Sequence, residues 1–165
     1  MQTKTTSNRM YSLLVLCDMH TKYFANVTEN ISDKDTHNRL NTKANHIAWL
    51  TGSLVEQRHE VANALGVKKQ QTAHDLFKDG KGIQDATTYP SLAEFKKDWE
   101  NITPILRDAL VSVSDEKLDE SFEMMPGFKM TYFELITFII YREANIIGQI
   151  ALWRRLLGYE AMKYQ

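Results

Sequence analysis

The sequence predicts an all-α protein, an antiparallel four-helix bundle with a long connection between its second and third helices. Three observations predict it. Apolar residues recur at steps of three and four along four separate stretches, two of those stretches open on capping boxes, and a long polar segment separates the second stretch from the third. At 165 residues, 43% apolar and 25% charged, the chain has the size and balance of one domain over residues 1–165, with a core that needs no disulfide or metal to hold it.

The first stretch begins at Ser7 and sets Leu13, Leu16, His20, Phe24, Val27 and Ile31 on one helical stripe. Ser32-Asp33-Lys34-Asp35 then reads as a turn. The second stretch runs through Ile47, Leu50, Leu54, Val61 and Leu65 to Gly66, a residue suited to the left-handed backbone of a C-terminal cap. Residues 66–90 are polar and contain Gly80-Lys81-Gly82. So long a connection is expected to be a functional cover or a flexible segment, with a short turn at His74 to Phe77.

Ser91-Leu92-Ala93-Glu94 fits a capping box, in which the serine oxygen accepts an orphan backbone N–H and the glutamate accepts from the serine amide. The third helix follows with Phe95, Trp99, Ile102, Leu106 and Leu110, and a kink is expected at Pro104, which removes one backbone hydrogen bond. Pro126-Gly127 interrupts the next segment. Thr131-Tyr132-Phe133-Glu134 is a second capping box, and it opens the most apolar stretch, which reaches Leu157 before Gly158. Leu135 to Tyr141 is apolar almost all round, so this fourth helix is expected to be central, with neighbours on more than one side.

Lys and Arg number 20 against 21 Asp and Glu, so no net field would draw the chain to nucleic acid or to an anionic membrane surface. No apolar run is read as long enough for a membrane span, and Met1 to Asn8 lacks the apolar centre of a signal peptide. The single cysteine, Cys17, cannot close an internal disulfide, and a cytoplasmic location is expected.

Near the C-terminus stands Arg142-Glu143-Ala144-Asn145-Ile146-Ile147-Gly148-Gln149-Ile150, continuing Ala151-Leu152-Trp153-Arg154-Arg155-Leu156-Leu157-Gly158. This resembles the DinB/YfiT-like superfamily, whose members commonly read His-Glu-x-x-His-x-Gly-Gln-Ile and then Leu-x-Arg-Arg-Leu-Leu-Gly. Asn45-His46-Ile47-Ala48-Trp49-Leu50-Thr51-Gly52-Ser53-Leu54 is similar to the family's Asn-x-Ile-x-Trp-x-x-Gly-His-Leu. The likeness spans essentially the whole chain and implies a four-helix bundle, often a homodimer, that holds nickel or zinc through three histidines. Carried over residue by residue, those ligand positions fall on Ser53, Arg142 and Ile146. Isoleucine has no lone pair, arginine keeps its proton and repels a divalent cation, and a lone serine hydroxyl is a weak ligand. The expectation is therefore a degenerate site with no metal and no other cofactor. His46, seven residues before Ser53 and about 10 Å along the axis, would not restore three convergent ligands.

Arg142 shares a stripe with Leu135, Ile139, Ile146, Ile150 and Trp153, so its guanidinium is expected to point inward. One reading is a structural ion pair with Glu56, Glu60 or Asp18, since buried charge is costly unless paired. The other is a fixed cation that replaces the lost metal charge and holds a small anionic ligand, because a guanidinium fork suits carboxylate and phosphate. His20 reads as a hydrogen-bonded core residue, His37, His59 and His74 as surface residues, and Cys17 as a buried inert thiol. Trp49, Trp99 and Trp153 read as core, Gly148 as a close-packing position, and Arg154 with Arg155 as a solvated or ion-paired face.

Three functions compete. The first is a metal-free DinB-like protein that binds a small ligand or a partner through the former metal pocket. The second, implied by the resemblance, is a metal-dependent thiol S-transferase or hydrolase using other ligands. The third is a non-enzymatic dimeric interaction module with a filled interior. A preserved cavity beside an unpaired Arg142 favours the first.

Overall fold

The computed structural model describes residues 4–165, so Met1 to Thr3 of the polar N-terminal segment, and that part of the single-domain expectation, lie outside the described residues. It is mostly helical. Four long helices, α1 (Met10–Val27), α3 (Ile47–Ala64), α4 (Leu92–Ser112) and α6 (Tyr132–Leu156), pack around shared apolar interiors, with one-turn helices α2 (Asp33–Thr36) and α5 (Asp115–Asp119) between them. Two strands, β1 (Ser121–Met125) and β2 (Phe128–Thr131), form an antiparallel hairpin around Pro126-Gly127, with a bulge between Glu123 and Met125. The fold is all-α as expected, with one small addition: the turn that interrupts the sequence is the tip of this hairpin.

Both capping boxes form, on Ser91 with Glu94 and on Thr131 with Glu134. Three further starts are capped, α2 by Ser32, α5 by Ser114 and α3 by His46, whose Nδ1 accepts from the Trp49 N–H at 3.1 Å, whereas α1 begins after Arg9 without a side-chain cap. α1 ends at Val27, short of the expected Ile31, where Thr28 turns its hydroxyl back to the Phe24 carbonyl at 2.7 Å. α4 continues through Pro104.

Pairs of facing residues give the helix directions. Arg9 lies over Phe133, His20 meets Glu143, and Arg154 reaches the Val27 carbonyl, so α1 and α6 run parallel. Gly52 abuts Phe95 and Arg58 donates to Thr103, so α3 and α4 are parallel too. Phe24 stacks on Trp99 while Asp18 pairs with Arg107, and Asn45 meets Trp153 while Arg58 meets Glu143. The α1–α4 and α3–α6 neighbours are therefore antiparallel. The simple antiparallel order expected from the sequence is corrected to two parallel pairs packed against each other. The long connection has a geometric reason: α3 has 18 residues, so the chain must travel back about 27 Å at 1.5 Å per residue before α4 can start beside it.

That returning segment, residues 65–91, is packed as a cover. Its Gln71, Ala73, Phe77 and Tyr89 are buried, and it contains 3-10 turns at His74–Leu76 and Lys78–Gly80. Phe77 lies on Gly52 so closely that a Cβ there would stand 2.1 Å from its ring. With α4, α6 and this cover around it, α3 is the most enclosed helix: every residue from Thr51 to His59 is buried. The central place expected for α6 thus belongs to α3. α6 instead leaves Phe138, Tyr141, Leu152 and Leu156 exposed along its outer side. By length and composition α6 is also apolar enough to cross a membrane, contrary to the sequence reading, and its inner face is buried in the bundle.

Two apolar clusters fill the bundle, one around Phe24, Leu54, Phe95, Trp99 and Ile147, the other around Leu14, Val61, Ile102, Leu106 and Ile136. Between them lies a polar layer to which all four long helices contribute. Glu143 on α6 accepts from Arg58 Nε at 2.6 Å and Nη2 at 3.2 Å, and faces His20 Nδ1 at 3.1 Å. Arg58 also donates to the hydroxyls of Thr21 (3.0 Å) and Thr103 (2.7 Å), and its guanidinium lies 3.4 Å over the Trp99 ring.

Candidate functional site

Arg58 is 0% exposed and Glu143 1%. The Arg58–Glu143 pair is closed to solvent, so it orders the bundle, while the Thr21 and Thr103 hydroxyls at its edge are half-buried. Burial works to raise the Glu143 carboxyl, but Arg58 and the His20 hydrogen bond hold it below the ordinary carboxylate range. His20 is the hydrogen-bonded core residue that the sequence suggested. Cys17 is buried nearby, and burial pushes its thiol up to about 11, which leaves it protonated and inert.

The residues that carry the sequence expectation meet elsewhere. A pocket of about 190 Å³ opens between α3, α6, the cover and the hairpin tip. Ser53, Glu56, Gln57 and Glu60 line it from α3, spaced so that they form one stripe, and Phe138, Ile139 and Arg142 line it from α6. Trp49, Phe77, Gly80, Lys81 and Met124 complete the wall. Ser53 and Arg142 are thus brought together. Ile146 is not: it is buried in the apolar cluster with Ile147 and Ile150.

Arg142 is half-buried and has none of the expected carboxylate partners within ion-pair distance among the described residues. With the Gln57 carboxamide turned so that its oxygen faces the guanidinium, Arg142 Nη2 and Nε donate to that oxygen at 3.0 and 3.2 Å. Each proposed partner is engaged or placed differently. Asp18 accepts from Arg107 Nε at 2.9 Å. Glu56 accepts from His74 Nδ1 and from Gln71 Nε2, both at 2.6 Å. Glu60 is exposed on its outer side and makes no hydrogen bond among the described residues; desolvation by the protein around it and the neighbouring Glu56 carboxylate hold it above the ordinary range, with Arg142 and His74 pulling the other way. Trp49 adds an indole N–H that is buried without a hydrogen-bond partner.

Other sequence readings are corrected by the same packing. His59 is buried, with Nδ1 2.9 Å from the Val55 carbonyl, and His74 is tied to Glu56, so neither is a simple surface residue. Arg154 is buried, donating to the carbonyls of Asn26, Val27 and Glu29 at the end of α1 and of Glu160 beyond α6. Gly148 meets nothing within 4 Å where a Cβ would stand, so the close-packing glycine is Gly52. Trp99 and Trp153 are core, whereas Trp49 is a pocket wall.

The residues at the three carried-over ligand positions do not fit a divalent ion. A guanidinium, a hydroxyl and a buried hydrocarbon offer no convergent set of donors, and no three His, Cys, Asp or Glu side chains converge among the described residues. A larger hollow of about 670 Å³ lies between α1 and α4, but its lysine, Lys96, already donates to the Thr28 carbonyl. No family model matches the chain, and no curated protein matches it in sequence.

Proposed function

We propose that the chain is a DinB/YfiT-like helical bundle that binds a small anionic molecule in the pocket between α3 and α6, where Arg142 supplies the positive charge. One observation carries the reading: Arg142 faces a preserved cavity with no ion-pair partner among the described residues, and its protein contacts there leave guanidinium N–H groups for a ligand. A carboxylate or phosphate accepts from such a fork in two parallel bonds, each stronger than a bond between neutral groups. The Ser53 hydroxyl lies on the same wall. A cytoplasmic location is proposed on the single cysteine, Cys17, which cannot close an internal disulfide. The homodimer implied by the resemblance would have the exposed stripe of Phe138, Tyr141, Leu152 and Leu156 available for contact.

The test is a thermal-shift screen of the protein against inorganic phosphate and mono- and dicarboxylates of two to six carbons. At least one should raise the melting temperature, and Arg142→Met should weaken that response about tenfold or more. Arg142→Lys, which keeps charge but loses the fork, should fall between. A response unchanged in Arg142→Met, or none in the unaltered protein, overturns the reading.

A further inference from the structure

The pocket holds a second charge that the anion reading does not use. Glu60 stands on the same α3 stripe as Ser53 and Gln57, in the pocket wall with Arg142, and makes no hydrogen bond among the described residues. Of the other charged groups of the wall, Glu56 is held by His74 and Gln71. Lys81 is exposed at the rim and donates once through Nζ to the Asp75 carbonyl at 2.8 Å, keeping its charge. Arg142 and Glu60 stand in the same wall as a guanidinium and a carboxylate, within electrostatic reach of each other but without a direct ion pair among the described residues. The rest of the wall is apolar, from Trp49, Phe77, Met124, Phe138 and Ile139.

Resting on the anion reading above, we propose that the ligand is a small zwitterion, a molecule with both a carboxylate and a primary ammonium on an aliphatic body. Arg142 takes the carboxylate and Glu60 the ammonium, while the apolar wall covers the body. A simple anion would meet repulsion from Glu60 in a pocket this small, whereas a zwitterion neutralises both ends at once. The strain already on Glu60 has the same sign, because desolvation and Glu56 both oppose its negative charge and a ligand cation relieves that opposition.

Calorimetric titration with two matched sets separates the possibilities. One set is leucine, 4-methylpentanoate and 3-methylbutylamine. The other is 6-aminohexanoate, hexanoate and pentylamine, which sets the two charges further apart. In at least one set the zwitterion should bind about tenfold or more tighter than either singly charged relative. Glu60→Gln should abolish that advantage and leave the affinity for the acid equal or higher, while Arg142→Met should weaken both zwitterion and acid. If the acids bind as well as the zwitterions, the zwitterion assignment falls and the anion site stands. If neither zwitterions nor acids bind, both fall.

Discussion

Removing Arg58 strands Glu143 in a place with no water. The carboxylate would lose both guanidinium bonds and keep only the 3.1 Å contact with His20, so Arg58→Met is expected to destabilise the protein by about 3–5 kcal/mol in denaturant unfolding. Arg58→Met with Glu143→Met should cost less than Arg58→Met alone, because no charge is then left unpaired. A single-variant loss below about 1 kcal/mol would mean that the polar layer does not bind the four helices together. At this scale the sequence was half legible. Arg142 and Glu143 are neighbours, and one helical position is a rotation of about 100°. Both fit apolar stripes: Leu135, Ile139, Ile146 beside one, and Ile136, Ile140, Ile147 beside the other. Only packing shows that the second stripe faces the interior polar layer while Arg142 faces the pocket. Arg58 carried the same kind of signal, between Leu54 and Val61 on the core side of α3, and a buried arginine is rare enough that the spacing alone did not single it out.

α3 depends on a cap that titrates. His46 accepts the Trp49 N–H through an unprotonated Nδ1, and burial, with nearby His37, lowers its pKa from 6.5 to about 4. Between those values the unfolded chain binds the proton and the folded one refuses it, so stability rises with pH through that window. The contribution is complete above pH 6.5 and is lost as pH falls toward 4, on the order of 2 kcal/mol. His46→Asn keeps a capping oxygen without a titration, and it should lose the decline in stability that the unaltered protein shows from pH 6.5 to 5. Equal slopes in urea unfolding at pH 6.5 and 5 would contradict this. Glu60, with its raised carboxyl, works in the opposite sense and blunts the slope. Helix existence was legible from stripes and boxes, whereas the hairpin was not. Most of its strand side chains are exposed or only half-buried, so no alternation of apolar and polar residues marks them.

Across the whole molecule, periodicity revealed four long helices but not their directions, because a stripe reads the same either way along the axis. The one directional clue was the length of the segment after Gly66, and its meaning emerges only once α3 and α4 are seen side by side and parallel. The pocket also belongs to this scale. Its wall draws on α3, the cover, the hairpin and α6, and the sequence supplied Ser53 and Arg142, with Glu56 and Glu60 as candidate partners of the arginine, but not Lys81 or Met124. Aligning the cover over α3 is a tertiary event with no local signature beyond its turn at His74.

The parallel pairing of α1 and α6 also sets how the molecule bears load. A pull applied at Asn8 and Glu160 grips the pair at opposite poles and drags one helix lengthwise past the other, loading the Arg9–Phe133, His20–Glu143 and Arg154–Val27 contacts together. A pull at Asn8 and Lys129 grips one pole and peels the same contacts one after another. With handles attached through cysteines introduced at those positions, the first geometry should rupture at clearly higher force than the second. Equal forces would contradict the parallel arrangement. The bundle is therefore a joint that resists shear along its length and yields to peeling at one end.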